Sequence, residues 1–224
     1  MFKSISLKLI FAASLLSLLA ACVGRPVKQM EYTAFKRSQP RSILILPPVN
    51  ETADVNATAS MLSQMTLPLA EAGYYVMPVA LVAETFKQNG MTSPAEIAQV
   101  APEKLRSIFG ADAVLYTKIT EFGSVYKVGA AKTYVRASAK LVDLGTGDVL
   151  WQGVGVANGN EVGFKVDVGV GIIGTLAQAA VKQVARNLMD EAHDVAGLTS
   201  TRLLSAGPPN GLLYGPRSPK YQTE

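Results

Sequence analysis

The chain has 224 residues, of which 49% are hydrophobic and 17% charged, and it contains one cysteine and one histidine. This length suffices for one domain with a sizeable core, and the single cysteine excludes an intrachain disulfide. The formal net charge is +4, but residues 22–41 carry five basic residues and one acidic residue, whereas residues 42–196 carry 11 basic and 15 acidic residues. Because the basic excess lies outside the part expected to fold, the composition argues against nucleic acid as a partner.

The amino terminus predicts an export signal. Lys3 and Lys8 precede an apolar run over residues 9–20, which is the layout of a signal peptide and is shorter than the roughly 20 residues of a membrane-spanning helix. The letters LAAC, ending at Cys22, resemble a bacterial lipobox. That resemblance implies removal of residues 1–21 and lipidation of Cys22, with a further acyl chain such as palmitate on the new amino terminus. An ordinary signal peptide followed by an incidental cysteine is the alternative.

Residues 22–41 are expected to form a basic tether between the lipid and the domain. Such a segment suits an anionic membrane surface, and a solvated linker is the compatible alternative. Val23 stands where lipoproteins retained in the inner membrane carry aspartate. The expected location is therefore the outer membrane, with the protein lipid-anchored and facing the periplasm.

From residue 42 the pattern becomes that of a folded domain. The letters SILILPPVN predict a buried strand that ends at two prolines. Residues 56–73 place apolar side chains at three- and four-residue spacing, which predicts a helix ending at Gly73. The letters YYVMPV predict a short second strand. Helices are expected over ALVAETFKQNG and after Pro94 and Pro102.

The second half of the domain predicts sheet. Residues 112–122 are rich in β-forming residues, and residues 131–143 alternate apolar with polar side chains. Residues 145–147 read Gly-Thr-Gly between two apolar runs, which is a hairpin signal. Residues 162–172 alternate again, and a helix beginning at Thr175 is expected to cover the sheet. The fold class is therefore α/β, with a mixed sheet of about five strands flanked by helices.

The last part of the chain, residues 197–224, predicts an irregular arm. It is rich in glycine and proline, yet Leu212, Leu213 and Tyr214 are too apolar for a free tail. We therefore expect the arm to dock on its own domain or on a partner chain. These three residues and Trp151 are the candidate interface residues, although core packing is the simpler role for Trp151.

No motif predicts catalytic, cofactor-binding or metal-binding residues. Gly169–Gly174 spells G-x-G-x-x-G, but no parallel strand is expected after the following helix, so a bend or close packing explains it better. His193 is the only histidine and is expected in the last turn of that helix. Asp143 and Asp148 flank the hairpin turn, where solvated turn residues are the ordinary explanation. We therefore expect no enzyme.

Four segments together resemble a known group of envelope lipoproteins. They read ILILPPVN, EAGYYVMPV, GADAVLYTKI and LVDLGTGDVLWQG, in this order. They are similar to strands and turns of lipoproteins whose fold is like the amino-terminal domain of TolB, a group that includes curli-secretion lipoproteins of the CsgG type. Within it, the chain resembles a family of outer-membrane lipoproteins of unknown function that includes a genome-derived vaccine antigen. The resemblance implies a TolB-like fold, protein partners and a homodimer as one arrangement, and no established activity.

The expected function is that of a non-enzymatic outer-membrane lipoprotein, acting as a periplasmic adaptor or subunit of an envelope secretion or transport assembly. Its partners would be the membrane, through the lipid anchor, and other envelope proteins. The alternative is a subunit of a CsgG-like oligomeric pore. Residues 162–172 have the length of a membrane-spanning strand, but Lys165 and Asp167 would then require a watery lumen.

Overall fold

Within the parts of the chain that the computed structural model describes, residues 30–127, 130–162 and 191–223, a six-stranded mixed sheet forms the centre. The strands are β1 (Ser42–Ile45), β2 (Val49–Asn50), β3 (Tyr75–Val76), β4 (Ala113–Lys127), β5 (Ala130–Asp143) and β6 (Val149–Asn158). Their order is β3–β1–β4–β5–β6, and β2 pairs with β4. β1 runs parallel to β3 and β4, whereas β5 is antiparallel to β4 and β6. The expected mixed α/β architecture is confirmed.

Helices lie on both faces of this sheet. They are α1 (Thr33–Ser38), α2 (Ala57–Glu71), α3 (Val79–Gln88), α4 (Pro94–Ile97), α5 (Pro102–Phe109) and α6 (Glu191–Leu204). On one face, Met61 of α2 and Leu203 of α6 belong to the larger core cluster. On the other face, Phe86 of α3 and Leu105 of α5 belong to a second cluster. The sheet is therefore the middle layer of three.

Residues 43–46, the last three of β1 and the residue that follows it, are continuously apolar for a structural reason. Ile43 and Ile45 enter the larger cluster, and Leu44 and Leu46 enter the second. Successive side chains of a strand point to opposite faces, so a strand covered on both faces has no polar position.

Among the described residues, most of the antiparallel half of the sheet is covered on one face only, and the exceptions Val114 and Val142 belong to the second cluster. Val135 and Ala137 of β5 are fully buried on the side that α6 covers, while Arg136 and Lys140 are exposed on the opposite side. This alternation is the one that the sequence of β5 predicts. We call the uncovered side of β4, β5 and β6 the open face.

The amino-terminal part of the folded domain begins earlier than residue 42, the boundary expected from sequence. Residues 33–38 form α1, and Phe35 is buried in the larger core cluster. The hydroxyl of Tyr32 donates a hydrogen bond of 2.6 Å to the carbonyl oxygen of Gly211. Tertiary contacts thus hold a segment whose basic composition suggests a solvated tether.

The carboxy-terminal part also differs from expectation. α6 continues through Gly197 to Leu204, so the irregular arm starts at residue 205 and not at residue 197. His193 lies near the first residues described for α6, and not in the last turn of a helix as predicted. Cys22, the glycine motif 169–174, the helix expected from Thr175 and most of the strand expected over 162–172 lie outside the described residues.

The arm, residues 205–223, packs on its own domain. Leu212 is fully buried, the carbonyl oxygen of Leu213 accepts a hydrogen bond of 2.5 Å from the Tyr74 hydroxyl, and the backbone N–H of Gly215 donates to Ala72. The sequence leaves two docking surfaces open for the arm, its own domain and a partner chain. The structure shows the arm on its own domain.

Candidate interaction surface

The open face contains a groove of about 510 Å³ that runs from the loop after β1 across the sheet to β6. The side chains that point into it are partly polar and partly apolar. They include Tyr116, Lys118, Ser138, Lys140, Gln152 and Val154. A groove of this volume, open along one sheet edge, has room for a segment of an extended chain.

The charged groups of the groove are lysines. The Lys118 ammonium forms a 2.8 Å ion pair with Glu51. The Lys140 ammonium lies 5.3 Å from the centre of the Tyr116 ring, and within the described residues no carboxylate pairs with it. Burial and the nearby charge of Glu103 raise the pKa of the Tyr116 phenol, so this hydroxyl stays protonated at neutral pH. The groove therefore offers one ammonium group to an acidic ligand.

Among the strands that the structure describes, β6 forms one edge of the sheet. The N–H of Gly159 donates to the carbonyl oxygen of Thr133 across the β5–β6 ladder. With the register Tyr134–Asn158, this bond fixes which residues point backbone groups toward β5 and which point them outward. Gln152 and Val154 point theirs outward, and among the residues described here these groups have no hydrogen-bond partner. The N–H and C=O groups of these two residues form a free edge on the outer side of β6.

The far end of this edge is closed by side chains. Arg202 of α6 donates a 2.9 Å hydrogen bond to the carbonyl oxygen of Val156 and a 2.5 Å hydrogen bond to Glu161. The other oxygen of Glu161 accepts from the backbone N–H of Asn158. The Arg202 guanidinium holds the pKa of the Glu161 carboxyl below its usual value, so the carboxylate keeps this arrangement near neutral pH. The carbonyl oxygen of Val156 and the N–H of Asn158 are thus occupied, so Gln152 and Val154 are the described residues of this edge whose outward N–H and C=O are both without a partner.

Two glycines of β6 explain why this strand exposes a valine. A Cβ on Gly153 would overlap the Trp151 indole ring, and a Cβ on Gly155 would lie 2.7 Å from the carbonyl oxygen of Thr199. The covered side of β6 is thus filled by Trp151 and α6. Val154, between the two glycines, turns to the open face and is 64% exposed. The spacing Gly-Val-Gly is the sequence signal for this position, and it indicates an exposed valine only when the positions of Trp151 and α6 are known.

The candidate interface residues from sequence are placed differently. Trp151 is 2% exposed and Leu212 fully buried, so in this conformation both stabilise the chain's own core and offer no surface to a partner. Leu213 and Tyr214 are half-buried on the arm. None of the four lies at the free edge of β6.

Polar groups that suggest chemistry have structural partners. The ring nitrogens of His193 lie 2.8 Å from the Ser60 hydroxyl and 2.7 Å from the Gln64 amide nitrogen. In the ranges described, no group of three or more histidine, cysteine, aspartate or glutamate side chains is arranged to hold a metal ion. His193 thus links α6 to α2 through both of its ring nitrogens.

Asp143 links α1 to the turn between β5 and β6. Its carboxylate accepts hydrogen bonds from the Ser38 hydroxyl and from the backbone N–H groups of Gly145, at 2.7 Å, and Thr146, at 2.8 Å. Burial raises the pKa of the Asp143 carboxyl, but the hydrogen bonds outweigh burial and leave this pKa below its usual value. Asp143 therefore stabilises the turn most when it is ionised.

Asp143→Asn is expected to lower the free energy of unfolding by about 1 kcal/mol at pH 7, because charge-assisted hydrogen bonds of a partly solvated carboxylate are lost. A folded-state pKa below the unfolded value stabilises the protein above the unfolded pKa, so this loss should shrink as the pH falls below about 4. Urea unfolding at pH 7 and at lower pH measures it. Asp148→Asn, which breaks only the exposed ion pair with Arg37, is the control and should cost less. Equal losses at both pH values would contradict the prediction.

In the ranges that the structure describes, no helix reaches the length and apolar character of a membrane span. A relative from Neisseria meningitidis serogroup B (strain ATCC BAA-335 / MC58), named "Putative lipoprotein NMB1124/NMB1162", is 45% identical over 200 residues, which are 89% of this chain and 91% of the relative. The crystal structure of lipoprotein GNA1162 from Neisseria meningitidis is 48% identical, with a TM-score of 0.50, and the match covers 66% of this chain and 99% of that chain.

The family resemblance drawn from the four segments is thereby confirmed. The family model described as "Putative lipoprotein GNA1162-like" matches residues 30–217. This match includes α1 and most of the arm, the two parts that lie outside the core expected from sequence. The chain belongs to the GNA1162-like lipoprotein family.

Proposed function

We propose that this protein is a non-enzymatic adaptor, or subunit, of an envelope secretion or transport assembly, anchored through lipidated Cys22 in the outer membrane and facing the periplasm. Membership of a lipoprotein family supports an anchor in the cell envelope. Val23 after the anchor residue favours the outer membrane. A lipid anchor raises the local concentration of the domain near its partners, so a modest interface suffices for assembly.

The free edge of β6 is the observation that carries the proposal. Edge strands with unpaired backbone groups accept an additional strand, and the four outward-facing groups of Gln152 and Val154 have no partner within the described part of the chain. Charged or proline residues commonly protect an exposed edge, whereas this one presents Val154, 64% exposed. Strand addition by a partner would pair these groups and cover the valine.

The chemistry of the open face specifies the partner segment. Gln152 stands opposite Lys140 in the β5–β6 register. A residue added beside Gln152 would lie two strand spacings, about 9–10 Å, from Lys140, which is within reach of a glutamate and a lysine side chain together. The occupant is therefore an extended segment of an envelope protein, with an apolar residue beside Val154 and an acidic residue near Lys140.

Photo-crosslinking in growing cells tests this proposal. A photoreactive amino acid in place of Gln152, in the full lipidated chain, is expected to give one adduct whose crosslinked peptide is such an extended segment of an envelope protein. Adding Val154→Lys should reduce this adduct at least about tenfold, because an ammonium at the edge opposes strand pairing.

The matched control is Leu81→Lys, which changes an equally exposed apolar residue, 66% exposed, on α3. It should leave the adduct unchanged. An adduct that persists in the Val154→Lys variant, or one formed only with a second copy of this chain, would overturn the adaptor proposal.

A further inference from the structure

A cluster of cations and tyrosines lies where α1, the start of β1 and the arm meet. The Arg217 guanidinium lies 5.3 Å from the centre of the Tyr75 ring, and the N–H of Tyr75 donates to the carbonyl oxygen of Arg41. The Lys220 ammonium lies 5.4 Å from the centre of the Tyr214 ring. Arg41, Arg217 and Lys220 are all exposed. We call these five residues the arm patch.

A recess of about 270 Å³ between α1 and the arm continues the patch. Lys36, Tyr214 and Tyr221 are among the residues that line it. Acids in this region are Glu71, two residues before Gly73, whose carbonyl oxygen accepts from the Arg217 N–H, and Asp112, whose carboxylate accepts from the backbone of Arg41 and Ser42. The exposed Glu31 stands next to Met30. Within the arm itself, residues 205–223, the charged side chains are Arg217 and Lys220, and both are basic.

The position of the anchor restricts which face can meet the membrane. Cys22 and Met30 are eight residues apart, so the segment between them spans at most about 29 Å. A compact chain of about 200 residues has a diameter of roughly 40 Å. The side of the molecule opposite Met30 therefore cannot rest on the bilayer while Cys22 is embedded in it.

The arm patch lies on the side that can reach the bilayer. The N–H of Met30 donates a 3.0 Å hydrogen bond to the side-chain oxygen of Asn210 in the arm. α1 follows directly, and six helical residues extend only about 9 Å. Met30, the first described residue after Cys22, is thus held against the arm, and the arm carries Tyr214, Arg217 and Lys220 of the patch.

We propose that the arm patch binds the anionic phospholipid surface in which the anchor is embedded, so that the domain rests on the membrane through the arm. Cationic side chains pair with phosphates, and tyrosines suit the polar interface of a bilayer. This contact would hold the domain in one orientation, so that the β6 edge always faces the same direction relative to the membrane. The inference rests on the lipidation of Cys22 in the proposed function and adds a second membrane contact.

Fluorescence quenching in vesicles tests the patch with the full lipidated chain. Cys22 is the single cysteine and its sulfur is consumed by the lipid, so Thr223→Cys supplies a unique thiol on the arm for a fluorophore. Ser124→Cys on β4 is the control position. It lies eleven residues along the strand from Ala113, which pairs with Ile43 beside the patch, and is therefore about 36 Å away.

The label at position 223 should be quenched by headgroup-spin-labelled lipid at least about threefold more with about 30 mol% phosphatidylglycerol than with phosphatidylcholine alone, and the difference should vanish near 0.5 M NaCl. The label at position 124 should be unaffected. Arg217→Glu with Lys220→Glu should reduce the fraction of protein whose arm contacts the bilayer, measured by the quenching at position 223, at least about tenfold. The reason is that each cation contributes about fivefold to binding at an anionic surface. Lys87→Glu with Lys104→Glu, which changes the net charge equally on α3 and α5, should leave this fraction unchanged.

Equal quenching at position 223 in both vesicle types, or quenching that survives Arg217→Glu with Lys220→Glu, would overturn the proposal that the arm patch binds the membrane. Neither result bears on the crosslink at the β6 edge, which these substitutions should leave intact. Conversely, loss of that crosslink in Val154→Lys should leave the quenching unchanged. The failure of one proposal is therefore distinguishable from the failure of the other.

Discussion

Trp151→Ala is expected to lower the free energy of unfolding by about 3–5 kcal/mol, because it removes the largest fully buried side chain and leaves a cavity. The indole ring is 2% exposed and fills the space above Gly153. Its N–H donates a 2.9 Å hydrogen bond to the carbonyl oxygen of Asn210, so the same side chain also holds the arm. The substitution therefore weakens both the core and the docking of the arm.

Urea unfolding followed by circular dichroism measures this loss, since the variant has no tryptophan to report by fluorescence. Small domains are stable by only about 5–15 kcal/mol, so Trp151→Phe is the second variant in case the alanine variant does not fold. Trp151→Phe keeps most of the apolar volume and should cost less than Trp151→Ala. Val154→Ala, at an exposed position of the same strand, should change the stability by less than about 0.5 kcal/mol. A loss near zero for Trp151→Ala would contradict the packing described here.

Most elements of the sheet could be predicted from local patterns. β5 alternates because only one of its faces is covered over most of its length, and residues 43–46 are uniformly apolar because both faces are covered there. The Gly-Thr-Gly sequence at residues 145–147 predicts the β5–β6 hairpin because Gly147 has a φ of +76°, a conformation that glycine adopts readily. In each case the signal lies within a few residues of the structure that it predicts.

α1 could not be predicted in this way. It has six residues, which is too short for helix formation without tertiary support, and within it only Phe35 is buried. Its support comes from distant residues, namely the ion pair of Arg37 with Asp148 and the hydrogen bond of Ser38 to Asp143. Local composition resembles a tether because these partners lie more than 100 residues away in the chain.

The candidate interaction surface could not be predicted from the sequence for a related reason. Whether a sheet face is open depends on which helices reach it, and the spacing within a strand does not reveal their number or reach. The residues chosen from sequence were large apolar ones, Trp151 and Leu212, and such residues are usually buried. The surface that the fold leaves open is formed instead by backbone groups of Gln152 and Val154, which sequence patterns do not distinguish from those of any other strand.

The arm was correctly expected to dock, and its sequence contains the reason. Gly215 approaches the backbone of Gly73 so closely that a Cβ would lie 2.6 Å from the carbonyl oxygen of that residue. Gly211 is similarly confined by the carbonyl oxygens of Ser205 and Gly207. The glycines that exclude regular structure thus permit close packing of an irregular segment, and the intervening Leu212 supplies its buried apolar contact.

Leu212→Ala is accordingly expected to release the arm. The side chain is fully buried in the larger core cluster, so its truncation should cost about 2–4 kcal/mol. Because the arm is an irregular segment near the carboxy terminus, part of this loss should appear as local opening and not only as global unfolding. Trypsin cleavage after Arg217, followed by mass spectrometry under native conditions, measures that opening, and its rate should rise at least about tenfold.

Leu213→Ala is the matched control for this experiment. The neighbouring leucine is half-buried, and its contact with Tyr74 uses the backbone carbonyl, which the substitution preserves. Cleavage after Arg217 should therefore accelerate much less than in Leu212→Ala. Equal rates in the two variants would mean that Leu212 does not anchor the arm, and the arm would then be held by its backbone hydrogen bonds to Ala72 and Gly73. Cleavage that is as fast in the unaltered protein as in Leu212→Ala would mean that the arm is already released in solution.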